Sequence, residues 1–114
     1  MIKSFRQSWL ETFWNTGKHK RVPPDLYNRL QRKLDMLNSA KDIKDLTAPP
    51  SNHLHALQGD REGQWAISVN GPWRLCFIFR DGQIFDVELV QYHEEFFHVT
   101  QASQTNSSRR DIKI

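Results

Sequence analysis

Apolar and polar positions change rhythm along this chain, from helical spacing in the first half to strict alternation in the second. Between Met1 and Arg6, Ile2, Ser4 and Arg6 alternate with Lys3 and Phe5, which predicts a short strand. Trp9, Leu10, Phe13 and Trp14 then fall at i, i+1, i+4 and i+5, an apolar helical stripe suited to packing on a sheet. Ser8 is placed to cap this helix, with Glu11 three residues on as its capping-box partner, and Gly17 to end it. Pro23-Pro24-Asp25 opens a second helix, because the first turn does not need the N–H that proline lacks. Leu26, Leu30, Leu34 and Leu37 recur along one face, while Arg29, Arg32 and Lys33 lie largely off it, so this helix is expected to be buried and basic at once. A further helical turn is expected from Ala40 to Leu46, stopping before Pro49-Pro50, and the helical segments read together as an αα-hairpin.

After a connecting segment, Ser51 to Leu57, and a polar turn, Gly59 to Gly63, the period becomes two. Trp65, Ile67 and Val69 alternate with Ala66, Ser68 and Asn70. Trp73, Leu75, Phe77 and Phe79 alternate with Arg74, Cys76, Ile78 and Arg80, which puts Arg74 on the face opposite the aromatic row. Phe85, Val87 and Leu89 alternate with Asp86, Glu88 and Val90. Asp81-Gly82 is a hairpin turn. Asn70-Gly71 looks like another, but Pro72 has no N–H to bond back to Val69, so a wider loop or a bulge is expected there. From Val99 onward the chain is polar and aperiodic, which divides it into one domain over residues 1–98 and a flexible tail over 99–114.

Composition adds bounds to this pattern. At 114 residues the chain suits a single core. No run reaches the roughly 18 apolar residues of a membrane span, and the opening residues lack a signal peptide's apolar stretch, so no membrane partner and a cytoplasmic location are expected. The single cysteine, Cys76, rules out an internal disulfide and a cysteine-rich metal site, and its apolar run predicts a buried thiol. The net charge is only +3, yet Lys18 to Lys33 carries six Lys/Arg and one acid, a local +5 that leaves about −2 for the rest. Such a region suits either a polyanion or a solvated helix face.

The polar residues available for chemistry in the second half are His55, Gln58, Arg61, Arg74, Gln91, Tyr92 and His93. No phosphate-binding glycine loop, nucleophile elbow or His-Glu-x-x-His helix is present. His53-x-His55 on an extended segment would put both rings on one side, but no tight third metal ligand accompanies it, and neither metal nor cofactor is expected. Two imidazoles, an arginine and a tyrosine are what ribonucleolytic transesterification uses. One imidazole takes the 2′-hydroxyl proton, another protonates the departing 5′-oxygen, and a guanidinium offsets charge on phosphorus. The same residues also fit a structural reading in which His55 caps a turn, Arg74 pairs with Glu88 or Asp86, and Tyr92 packs.

The opening Met-Ile-Lys-Ser-Phe, the Leu54 to Gly63 run, Trp65 to Arg74 and the pair Tyr92-His93 together resemble HigB-type toxins of the RelE/ParE superfamily of toxin–antitoxin proteins, over about residues 1 to 93. The resemblance implies an α+β, RelE-like (microbial-RNase-like) fold: a small antiparallel sheet with two or three N-terminal helices packed on one face. It implies a metal-independent endoribonuclease that cleaves mRNA in the A site of the 70S ribosome, with His55, Arg74, Tyr92 and His93 as catalytic residues. Arg74 would meet transition-state charge, His55 and His93 would transfer protons in an order left open, and Tyr92 would position the substrate. Gln58, Arg61, Gln91, Arg29, Arg32 and Lys33 are the expected RNA or ribosome contacts, the last three toward ribosomal RNA. Better-known members carry Lys at Gln58 and Asp at Gln91, so a cation and a carboxylate are replaced by amides that only hydrogen-bond. The implied partner is a HigA-type helix-turn-helix antitoxin, with operator DNA reached only through it. A gyrase-blocking inhibitor of the ParE branch, and a degenerate toxin surviving as a co-repressor, are the competing expectations.

Overall fold

The computed structural model describes residues 1–91, and the expectations for Tyr92, His93 and the tail lie outside them. Helices α1 (Ser8–Thr16) and α2 (Tyr27–Ser39) precede a four-stranded sheet of β1 (His55–Ala56), β2 (Trp65–Asn70), β3 (Trp73–Arg80) and β4 (Gln83–Gln91). The strands pair antiparallel in the order β1-β2-β3-β4. The architecture is thus α+β, as expected. The core gathers Leu10 and Phe13 of α1, Leu30, Leu34 and Leu37 of α2, and Ile67, Leu75, Phe77, Val87 and Leu89 of the sheet. The leucine stripe and the strand alternation become burial because each presents one continuous apolar face.

The N-terminal segment does not form a regular strand. Ile2 and Phe5 make isolated parallel bridges to Ile84 and Val87 of β4. Ser8 does not cap α1: Gln7 occupies that position with no side-chain cap bond. The Gln7 amide is used elsewhere, donating to the Leu89 carbonyl at 3.0 Å and accepting from the Leu89 N–H at 2.8 Å. A side chain thereby continues the strand pairing that the backbone abandons, and satisfies an edge that would otherwise expose its polar groups. Gly17, at φ +85, ends α1 in the left-handed conformation that a residue with a Cβ rarely adopts.

The turn expected over Ala40 to Leu46 is a 3₁₀ segment, Ile43–Thr47. Its start is set by Asp42, whose carboxylate accepts from the Lys44 N–H while Asp45 accepts from the backbone of Lys41 and Asp42. The connecting segment after Pro50 is also more structured than expected. It contains a 3₁₀ turn, Pro50–Asn52, and the two-residue edge strand β1.

Two bulges shape the sheet. One falls between Ser68 and Asn70, where the proline after Gly71 disturbs the hairpin, and it keeps the connection tight instead of widening it. The other was not expected. Cys76 pairs with Glu88 and Ile78 with Phe85, so β4 carries one extra residue at Asp86, whose φ is +56. The register change buries Ile84 and turns Phe85 away from the face of Val87 and Leu89, against the simple alternation. Phe85 instead lies under the Arg80 guanidinium, 4.4 Å from the ring centroid.

Candidate functional site

Cross-strand partners share a face, so the register fixes what the sheet presents away from its core. His55 stands opposite Ala66, Ala66 opposite Cys76, and Cys76 opposite Glu88. One register step on, Ser68 stands opposite Arg74 and Arg74 opposite Val90. His55 and Arg74 therefore belong to one face, on strands separated by β2 and so roughly 10 Å apart across the sheet. That spacing leaves room between them for a phosphodiester.

Local backbone geometry orients both groups. His53 adopts φ +48, so the segment is not extended at that point and the two-histidine arrangement drawn from an extended chain does not form. The turn brings the His53 carbonyl to 2.8 Å from His55 Nδ1. A carbonyl only accepts, so Nδ1 carries the hydrogen, and in the neutral ring the lone pair lies on Nε2. Arg74 Nη1 donates to the carbonyls of Gly71 at 2.7 Å and Trp73 at 3.1 Å, which ties the guanidinium to the β2–β3 turn.

A cleft of about 560 Å³ is lined jointly by α2 and by residues at the β2–β3 turn end of the sheet. Arg29, Arg32 and Lys33 line it from the helix, and His53, His55 and Arg74 from the other side. No carboxylate lines it among the described residues. The basic region of α2 and the sheet residues thus form one site, which the sequence pattern had left as two. Arg29 and Arg32 are exposed, but Lys33 is buried to 9% exposure, contrary to its expected place off the apolar stripe. Residues 29, 33 and 36 follow each other at i, i+4 and i+7, which aims this strip of α2 into the cleft. Lys33 Nζ donates to Oδ1 of the wholly buried Asn52. Burial, and then the like charges of Arg32 and Arg29, hold the Lys33 ammonium below the usual lysine range.

The remaining expected contacts sit elsewhere. Arg61 pairs with Glu88 at 3.0 Å and bonds Gln64 at 3.0 Å, anchoring the Gly59–Arg61 turn on β4. Glu88 thus accepts from Arg61, where the structural alternative had offered it to Arg74. Gln58 is exposed just before that turn, and Gln91 stands opposite Trp73, on the other side of the sheet from Arg74. Ser68, beside Arg74, and Asn52, beneath Lys33, had no functional signal in the sequence. Neither residue type nor spacing marks a position that only the fold brings to the cleft. Among the described residues no three His, Cys, Asp or Glu side chains group as a metal site requires.

Cys76 lies on the site face but is buried, which pushes its thiol up to about 11. At pH 8 about one thiol in a thousand is then ionised. Cys76 is expected to resist a disulfide reagent in the native protein and to react fully once denaturant is added. Rapid native labelling would contradict the burial.

The model of the HigB-like toxins, described as RelE-like toxins of type II toxin–antitoxin systems, matches residues 3–93. This chain belongs to that family. It is therefore a toxin of a type II toxin–antitoxin system, and an antitoxin is its partner. It is 39% identical over 83 residues to a Vibrio cholerae protein named toxin HigB-1, covering 72% of this chain and 87% of that one. It is 34% identical over 93 residues to a Proteus vulgaris protein named endoribonuclease HigB, covering 82% of this chain and all of that one. The HigB-like fold extends to the solved structure of YafQ from E. coli, with a TM-score of 0.55 over 85% of this chain and 97% of that one at 18% identity.

Proposed function

We propose that this HigB-like toxin is an endoribonuclease that cleaves mRNA in the ribosomal A site by 2′-hydroxyl attack. The observation that carries this reading is the cleft in which His55, Arg74 and the α2 cations meet with no carboxylate among the described residues. A polyanion enters such a site readily, and the imidazole and guanidinium are the groups its cleavage needs. His55 Nε2 takes the proton from the 2′-hydroxyl, helped by the Nδ1–H that the His53 carbonyl holds in place. The 2′-oxygen bonds to phosphorus, Arg74 offsets the charge that develops on the phosphoryl oxygens, and the bond to the 5′-oxygen breaks. His93 returns a proton to that oxygen, and Tyr92 positions the base or sugar. The products are a 2′,3′-cyclic phosphate, opened by water to a 3′-phosphate, and a free 5′-hydroxyl. A HigA-type antitoxin would neutralise the toxin in the cytoplasm, and operator DNA would be reached through that antitoxin.

The test is a comparison of the purified toxin on programmed ribosomes and on the same mRNA alone. New 5′ ends within the A-site codon, formed only with ribosomes, are expected. Cleavage of free mRNA at equal rate would remove the ribosome from the scheme. Stalled replication with no new ends would move the function to gyrase inhibition.

A further inference from the structure

We propose that Lys33 binds a backbone phosphate of the cleaved RNA, and so belongs to the substrate site and not to the ribosome contact. The inference rests on the nuclease reading and names a further ligand of the same cleft. Three observations support it. Lys33 lines the same cleft as His55 and Arg74, and of the three α2 cations that do so it is the buried one, Arg29 and Arg32 being exposed. Its ammonium donates to Asn52 Oδ1, and Asn52 is itself held by donating to the carbonyls of Leu46 at 3.0 Å and Ala48 at 3.2 Å, so Nζ has a fixed position. Among the described residues no carboxylate pairs with Lys33, although it stands beside two arginines.

A buried cation among like charges weakens a fold, and an apolar residue of similar length would pack there at less cost. An ammonium has three donors, and Asn52 accepts one. A phosphodiester would accept another and restore the charge balance that Arg29 and Arg32 upset. This is a preorganised contact, because neither the side chain nor its amide support has to move when the anion arrives. Arg29 adds stiffness to the same wall, its Nη1 donating to Asn70 Oδ1 at 3.4 Å.

The experiment uses Lys33→Gln and Lys33→Arg in single-turnover cleavage on programmed ribosomes, with thermal unfolding recorded for each. Lys33→Gln is expected to lower the maximal rate about 10- to 100-fold, the range for a hydrogen bond to a charged group. The toxin concentration giving half-maximal rate should stay within about two-fold, and Lys33→Arg should recover most of the loss. A merely structural lysine would change the melting temperature and leave the maximal rate intact, which would overturn the proposal. Weaker ribosome binding at an unchanged maximal rate would return Lys33 to the ribosome contact and also overturn it. If the native toxin does not cleave, the nuclease reading falls, and Lys33 is read by titrating the free protein with a short single-stranded 2′-deoxyoligonucleotide. Salt-sensitive shifts of the Asn52 side-chain amide together with Arg74 would uphold the phosphate contact. Shifts confined to Arg29 and Arg32 would refute it.

Discussion

Arg74→Ala is expected to lower the cleavage rate about 10²- to 10³-fold, the usual loss when one preorganised donor to a developing anion is removed. The fold should survive. Arg74 lies on the non-core face of β3, its Nη1 bonds go to turn carbonyls near the surface, and alanine costs a strand at most about 1 kcal/mol. Arg74→Lys tests geometry apart from charge. Lysine supplies a cation but not the planar fork, so a partial recovery is expected, well short of the native rate. The measurements are growth after induced expression, single-turnover cleavage and circular dichroism of the purified variants. An alanine variant as toxic as the native chain would take Arg74 out of the catalytic scheme.

Asn52→Ala is expected to be the costliest polar substitution for stability. Asn52 has no exposed surface, donates to the Leu46 and Ala48 carbonyls and accepts from Lys33. Alanine would leave two carbonyls and a buried ammonium without that partner, a loss of about 2–4 kcal/mol. For a domain of this size the melting temperature should fall by roughly 10–20 °C. Cleavage should fall as well, even at temperatures where the variant remains folded, because the Lys33 wall would lose its support. A change of under about 2 °C would show that the segment from Leu46 to His53 is held by other contacts.

What the sequence made legible was whatever depends on one periodic face. The leucines of α2 and the aromatic row of β3 announce their burial because a helix or a strand repeats its orientation at a fixed interval. The family resemblance proposed His55 and Arg74 as site residues, and alternation alone put Arg74 on the outer face, where the register has it. The departures come from contacts between distant residues. Gln7 displaces Ser8 from the cap position because Leu89, 82 residues away, claims its amide. The bulge at Asp86 reverses Phe85, and no local signal in Phe85-Asp86-Val87 distinguishes it from a regular strand. Lys33 looked like a solvated charge because its burial comes from Asn52 and the wall opposite, not from its own helix. The joining of the two halves of the site required knowing where α2 lies over the sheet.

The side-chain pairing of Gln7 with Leu89 bears on the order in which the molecule can assemble. Ile2, Phe5 and Gln7 leave a ribosome some eighty residues before their partners in β4. Until β4 arrives, β3 lacks one of its two neighbours and Phe5 and Gln7 have no strand to pair with. Helix α1 can rest on Tyr27 through Phe13 before then, but its entry through Gln7 is tied only by the same event. A growing chain therefore lacks a complete sheet behind the His55–Arg74 face until Gln83–Gln91 has emerged.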